Sequence, residues 1–130
     1  MRKLLSLLLL SFVAITGYTQ TIEYRSHSMS TSESVGDVLT ASTSSAVETS
    51  ILFNYTDSIV IVNSANKKKA YWILRCYEDL KDYVDVTDNI SNYTFTFLYN
   101  KHGVIDVLLM EDKQGKTFIT DYRVYKTEKK

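Results

Sequence analysis

Apolar and polar side chains alternate along much of the chain after residue 50, which is typical of β-strands. The clearest case is segment 92–100, where every second residue is aromatic: Tyr93, Phe95, Phe97 and Tyr99. Because successive side chains of a strand point to opposite faces, these four rings are expected on one face and the threonines between them on the other. This segment is therefore predicted to be a strand with one buried face.

Similar patterns predict six further strands, at 21–29, 51–55, 58–62, 69–77, 104–111 and 117–126. Gly103 and Gly115 mark two of the turns between them, because glycine readily takes a positive φ. On strand 69–77 both faces are rather apolar, and Cys76 is expected to be buried on the face of Trp72 and Leu74. Segment 78–84 is compatible with a helical turn or with a short strand over 83–86. The last five residues are expected to be a solvated tail.

Segment 26–50 departs from this pattern, because 13 of its 25 residues are Ser or Thr. It is interpreted either as a flexible or sugar-bearing linker, or as a pair of strands or a strand and a long loop whose hydroxyl groups face solvent. Val38, Leu39 and Val47 are expected to point inward, which favours the second interpretation over the linker.

A hairpin that follows a hairpin makes a meander, and regularly spaced strands indicate a barrel or a sandwich. We therefore predict a single all-β antiparallel domain of about seven to nine strands, either an up-and-down barrel or a β-sandwich. The meander resembles lipocalin-like barrels in outline, without a motif that is diagnostic of a family. A barrel of about eight strands is either filled by its own side chains or holds one small ligand.

The amino terminus has the layout of a secretory signal peptide. Arg2 and Lys3 precede the apolar run Leu4–Ile15, and small residues at 17 and 19 precede a possible cut before Gln20. The run is shorter than the ~20 apolar residues of a membrane-spanning helix, so no stable span is expected after cleavage. The predicted organisation is a signal peptide at 1–19 and one β-rich domain at 20–130, secreted or periplasmic, with a bacterium as the expected host.

Charge and chemistry narrow the possible functions. The chain has 15 basic and 15 acidic residues, so it lacks the basic excess of a nucleic-acid-binding protein. No phosphate loop, nucleophile elbow or zinc motif is present, and an internal disulfide is impossible with Cys76 as the single cysteine. The strongest metal candidate is an acidic group without the spacing of a calcium loop: Glu78, Asp79, Asp82, Asp85 and Asp88. His27 and His102 have no partner nearby in the sequence, so no catalytic residue, metal or cofactor is assigned.

The aromatic residues carry the remaining hint of function. Five of them can line a ligand cavity or simply form a core: Trp72, Tyr93, Phe95, Phe97 and Tyr99. The leading hypothesis is a non-enzymatic binding or interaction protein of the bacterial envelope or exterior, with an unknown protein partner. The alternative is a carrier of a small apolar or sugar ligand inside the barrel. A small hydrolase is the least favoured hypothesis.

Overall fold

The computed structural model describes residues 21–65, 67–76 and 83–129. These residues form nine strands: β1 Thr21–Val35, β2 Val38–Ser45, β3 Thr49–Asn54, β4 Ile59–Ser64, β5 Lys67–Cys76, β6 Tyr83–Thr87, β7 Asn92–Asn100, β8 Gly103–Lys113 and β9 Lys116–Lys129. The predicted signal peptide and most of segment 78–84 lie outside the described residues. The strand alternative for 83–86 is confirmed by β6.

The sheet is a closed antiparallel barrel of eight strands with one extra strand. Strands β3 to β9 follow one another around the barrel, and β9 closes it by pairing along the length of β1. The first half of β1 pairs with β3 on its other edge, whereas the second half pairs with β2. The predicted up-and-down barrel is thus confirmed, with β2 as a hairpin excursion between β1 and β3.

Residues with positive φ allow the tight turn between β8 and β9. Gln114 and Gly115 have φ of 53° and 78°, the pair of positive values that a two-residue turn needs to match the twist of its strands. Lys113 therefore pairs with Lys116, and the residue pairs of this hairpin continue in register to Asp106 and Arg123.

The barrel interior is filled by large apolar side chains. Phe53 is fully buried, and its ring centroid lies 5.7 Å from that of Tyr24, 5.1 Å from that of Phe95 and 5.3 Å from that of Phe97. Around these rings pack further buried residues: Ile51, Val60, Val62, Tyr71, Val84, Val86, Val107 and Tyr122. Aromatic rings at such separations stabilise one another beyond the burial of their area.

The predicted orientation of strand 69–77 is wrong. Tyr71 faces the core and is 4% exposed, whereas Trp72 is 46% and Leu74 57% exposed, and Cys76 is also exposed. Trp72 pairs with Ile59 of β4, so apolar side chains cover part of the outer surface of the barrel as well. Because both faces of β5 are apolar, the two-residue period does not say which one is inside.

The serine- and threonine-rich segment forms the second half of β1 and all of β2, as the strand interpretation predicts. The expected inward contacts are wrong, because Val38 and Leu39 are 66% and 61% exposed and Val47 is only partly buried. All eight residues of β2 are exposed, since this strand lies beside the barrel rather than in it. The expected tail is also wrong as far as Lys129, because β9 continues to that residue.

Candidate functional site

The five aromatic residues that the sequence singles out do not surround one cavity. Phe95 and Phe97 are 0% and 5% exposed and belong to the core, and Tyr93 packs against that core from one end of the barrel. Trp72 and Tyr99 are 46% and 48% exposed. Three members of the set therefore contribute to the packed interior, Trp72 lies on the outer surface, and Tyr99 is half exposed beside Val104, which packs against the core.

The acidic group is also dispersed. Three of its members lie outside the described residues: Glu78, Asp79 and Asp82. Asp85 accepts a hydrogen bond from the Thr94 hydroxyl at 2.9 Å on the outer face of β6 and β7. Within the described residues, no three His, Cys, Asp or Glu side chains are grouped so that they can hold a metal ion. His102 is exposed in the turn between β7 and β8.

Asp88 belongs to a compact cluster at one end of the barrel. Its Oδ2 lies 3.1 Å from Nζ of Lys69 and accepts a hydrogen bond from the Tyr93 hydroxyl at 3.0 Å. The same Nζ lies 5.1 Å and 5.2 Å from the ring centroids of Tyr71 and Tyr93. Hydrogen bonds from backbone N–H groups, of which that of Ser91 has the largest effect, hold the pKa of Asp88 well below its usual range. The charged and polar groups of this cluster are thus paired with one another, and the cluster closes this end of the barrel.

An open cleft of about 470 Å³ lies on the outside of the barrel, where β2, β1 and β9 run side by side. It is lined by Ser28, Met29, Ser30, Ser44, Ser45, Ala46, Asp121 and Arg123. Ser30 pairs with Ser44 on one side and with Asp121 on the other. Because paired residues of neighbouring strands share a face, the polar side chains of these three strands converge on the same surface.

A buried ion pair anchors the β9 side of the cleft. Asp106 of β8 is only 5% exposed, and its Oδ1 accepts a hydrogen bond from Nε of Arg123 at 2.7 Å. The Arg123 side chain is itself 68% exposed. Since this bond uses Nε, the terminal N–H groups of the guanidinium are left for an acceptor in the cleft.

Asp121 lies beside this ion pair. Burial raises the pKa of Asp121, the negative charge of Asp106 and a hydrogen bond to it raise that pKa further, and Arg123 lowers it. Oδ1 of Asp121 is buried without a hydrogen-bond donor beside it. Two ionised carboxylates only accept hydrogen bonds, so the pair is satisfied when a proton on Asp121 is donated to Asp106.

An exposed stack of two rings borders the cleft. The rings of His27 and Tyr125 are parallel within 2°, with centroids 3.6 Å apart. Glu48 joins them, because its carboxylate pairs with Nδ1 of His27 and accepts a hydrogen bond from the Tyr125 hydroxyl at 3.3 Å. His27 lies at an irregularity of β1 between Ser26 and Ser28, where the pairing with β9 shifts. This shift brings the imidazole to the outer surface beside the cleft.

A second open cavity, of about 600 Å³, lies across strands β5 to β8. Its lining includes Arg75 and Asp85, which pair across β5 and β6, and the exposed Leu74. Each of the two cavities thus contains one arginine, but the second one has two aspartates, Asp85 and Asp112, and lacks the row of serines.

Comparison of the chain with protein-family models, with curated proteins and with solved structures finds no match. Among the residues that the structure describes, none belongs to a helix long and apolar enough to cross a membrane. The sequence did not single out Asp106, Asp121 or Arg123. A signal was present, because Asp106 is the one charged residue in the otherwise apolar segment 104–110.

Proposed function

We propose that the protein is an exported, non-enzymatic binding protein of the bacterial envelope or exterior, and that it recognises its partner with the outside of the barrel. The observation that carries this proposal is the packed interior. Phe53, Phe95 and Phe97 belong to the core inside the barrel, and the ring centroid of Phe53 lies 5.1 Å from that of Phe95 and 5.3 Å from that of Phe97; Phe53 and Phe95 are fully buried. A ligand carrier would need that volume for its cargo.

Export is proposed from the amino-terminal pattern of a basic start, an apolar run and small residues before Gln20. The described part of β1 starts at Thr21. Ile22 and Glu23 already pair with both β3 and β9. Removal of residues 1–19 would therefore leave the described barrel whole.

Native mass spectrometry of the exported protein tests both parts of the proposal. The full sequence is expressed in a bacterium, and the protein is recovered from the periplasm or the medium without denaturant. The expected mass is that of the polypeptide starting near Gln20, with no small molecule bound. A stoichiometric small molecule that leaves only on unfolding would overturn the proposal in favour of the carrier. A product retained in the membrane with Met1–Ile15 would overturn export.

Hydroxyl-radical footprinting locates the surface that is used. The labelling of outward and inward side chains is compared between the exported fraction and the purified protein. Protection in the exported fraction is expected at outward residues only. Protection of inward residues such as Tyr55, which packs against the core, or of no residue, would contradict recognition through the outer surface.

A further inference from the structure

We propose that the cleft between β2, β1 and β9 binds a neutral saccharide, with Arg123 and Asp121 contacting adjacent hydroxyl groups of one sugar ring. This inference rests on the proposed function, because it assigns a site and a ligand class to the same outer surface. It is carried by three features of the cleft: its balance of charge, its set of hydrogen-bonding groups and the ring stack at its border.

The charge of the cleft points to a neutral ligand. Arg123 is the single cation among its lining residues, and Asp106 neutralises it at 2.7 Å. A site for phosphate or carboxylate would need a cation that is not already paired. Within the described residues, no metal-binding group is present to recruit an anion instead.

The hydrogen-bonding groups fit a row of hydroxyl groups. Each sugar hydroxyl both donates and accepts, so a binding site needs donors and acceptors side by side. Arg123 supplies donors, Asp121 supplies an acceptor, and the serine hydroxyls supply both. Met29 and Ala46 add a small apolar surface for C–H groups. The volume of about 470 Å³ lies within the roughly 300–1,000 Å³ of small-molecule sites.

The ring stack adds a flat surface at the border of the cleft. His27 precedes Ser28, and Tyr125 follows Arg123 by two residues on β9. The His27 side chain is 62% exposed, and its bond to Glu48 fixes the plane of the ring. A fixed, exposed ring presents the amphipathic kind of surface on which the C–H face of a sugar can lie.

The two carboxyl groups are arranged for binding rather than for hydrolysis. Glycoside hydrolases hold their carboxyl pair about 5 Å or more apart, on either side of the bond to be cleaved. Asp106 and Asp121 are linked by a hydrogen bond, and Asp106 is buried beneath Arg123. No space for a glycosidic bond exists between two groups in that arrangement.

Nuclear magnetic resonance titration tests the inference. Maltotriose, cellotriose and triacetylchitotriose, which are neutral trisaccharides of different linkage, are added to the ¹⁵N-labelled protein up to 20 mM. At least one of them is expected to shift the amide signals of Ser28–Ser30, Ser44–Ala46 and Asp121–Arg123 in a saturable way. A heparin-derived tetrasaccharide serves as the anionic probe and is expected to cause no shift in these segments.

Three variants and one control separate recognition from stability. Arg123→Lys keeps the charge but loses the planar fork, so the affinity is expected to fall about tenfold or more. Asp121→Leu is expected to abolish binding. Asp121→Asn is expected to retain it, because the amide can donate to Asp106 and still accept from the ligand. Arg75→Lys, in the second cavity, is the control and should leave the affinity unchanged.

The outcomes distinguish this inference from the proposed function. Absence of any shift up to 20 mM, or stronger shifts with the anionic probe, overturns the neutral-saccharide site while leaving recognition through the outer surface standing. Shifts confined to outward residues of the second cavity have the same consequence. Shifts centred on Phe95 and Phe97 overturn the proposed function itself. Release of a shorter saccharide during the titration would show a hydrolase and overturn both.

Discussion

Replacement of Phe53 by alanine tests whether the barrel interior is a tightly packed core. Phe53 is 0% exposed, and its ring is flanked by Tyr24, Phe95 and Phe97 at centroid distances of 5.1–5.7 Å. Truncation of a buried phenylalanine costs about 3–5 kcal/mol. The surrounding rings come from strands β1 and β7 of a closed barrel, which limits how far they can move into the void. We therefore expect a loss near 4–5 kcal/mol.

Urea unfolding measures this loss, with Trp72→Ala as the matched control. Trp72 is larger than Phe53 but is 46% exposed on the outer surface, so its truncation should cost about 1 kcal/mol or less. Domains of this size are stable by about 5–15 kcal/mol, so Phe53→Ala should still fold but melt at least about 15 °C lower. The void should also accept benzene, which should raise the melting temperature of this variant and not that of the parent.

Two results would refute the reasoning. A loss of about 1 kcal/mol for Phe53→Ala would mean that the interior is loosely filled, and the carrier alternative would then be favoured. A larger loss for Trp72→Ala than for Phe53→Ala would mean that the inner and outer faces of the barrel have been exchanged.

Three further predictions concern titrating and reactive groups. The pKa of Asp121 is raised in the folded protein, so this residue stabilises the fold below pH 3.8, its ordinary pKa, and the contribution is lost as the pH rises through the raised pKa. In urea unfolding, the stability of Asp121→Asn should therefore fall less above pH 4 than that of the parent. An equal fall would contradict the proton shared with Asp106. The pKa of Asp88 is lowered, so its contribution to stability has the opposite pH dependence: it is present above pH 3.8 and is lost on acidification. Between pH 7 and pH 3 the melting temperature of Asp88→Asn should fall less than that of the parent. Parallel melting curves would show that the cluster with Lys69 is not formed. Cys76 is exposed, so a thiol reagent should label the native protein almost as fast as the unfolded one, and slow labelling would place the thiol under cover.

The sequence predicted the barrel because most of its strands have one apolar and one polar face. On β7 the aromatic residues alternate with Thr94 and Thr96, and burial follows that alternation at Phe95 and Phe97. β5 has no such contrast, and the choice of its inner face depends on how the sheet closes. Tyr71 points inward because its partner on β4 is the buried Val60. This constraint comes from a neighbouring strand and is not contained in the pattern of β5.

The second half of β1 and all of β2 were difficult to predict from the sequence for a different reason. Hydrophobic periodicity arises where one face of a strand is buried, and β2 buries neither face. What holds this hairpin is its pairing, from Val35 with Val38 to Met29 with Ser45, and the pairing of β1 with β9 behind it. Hydroxyl pairs such as Thr31 with Thr43, whose Oγ1 atoms lie 2.5 Å apart, add to that pairing. The abundance of threonine and serine in this hairpin was therefore an indication of exposed strands.

The ion pair of the cleft could be predicted by counting the strand register from the turn. The turn at Gln114 and Gly115 pairs Lys113 with Lys116, and counting back seven residues on one strand and forward seven on the other pairs Asp106 with Arg123. A charged residue in an apolar segment needs a partner of opposite charge when it is buried. The sequence thus contained this ion pair, but not the approach of β2 and its serines, because β2 buries neither face and has no hydrophobic period.

The position of the extra strand connects the fold to the proposed binding site. In a closed barrel each strand is paired on both edges and the inner face is filled, so the outer surface is mostly convex and offers few recesses. A strand that leaves the barrel changes this locally, because β2 pairs with one edge of β1 while β9 pairs with the other. The cleft lies across these three strands, with Ser44 and Ser45 on one side and Asp121 and Arg123 on the other. Replacing residues 38–46 by a glycine- and asparagine-rich linker of the same length, which still spans from the end of β1 back to β3, should therefore remove the cleft and the saccharide binding while the eight-stranded barrel remains folded. Circular dichroism and the same titration would measure both effects, and retention of binding would place the site elsewhere on the barrel.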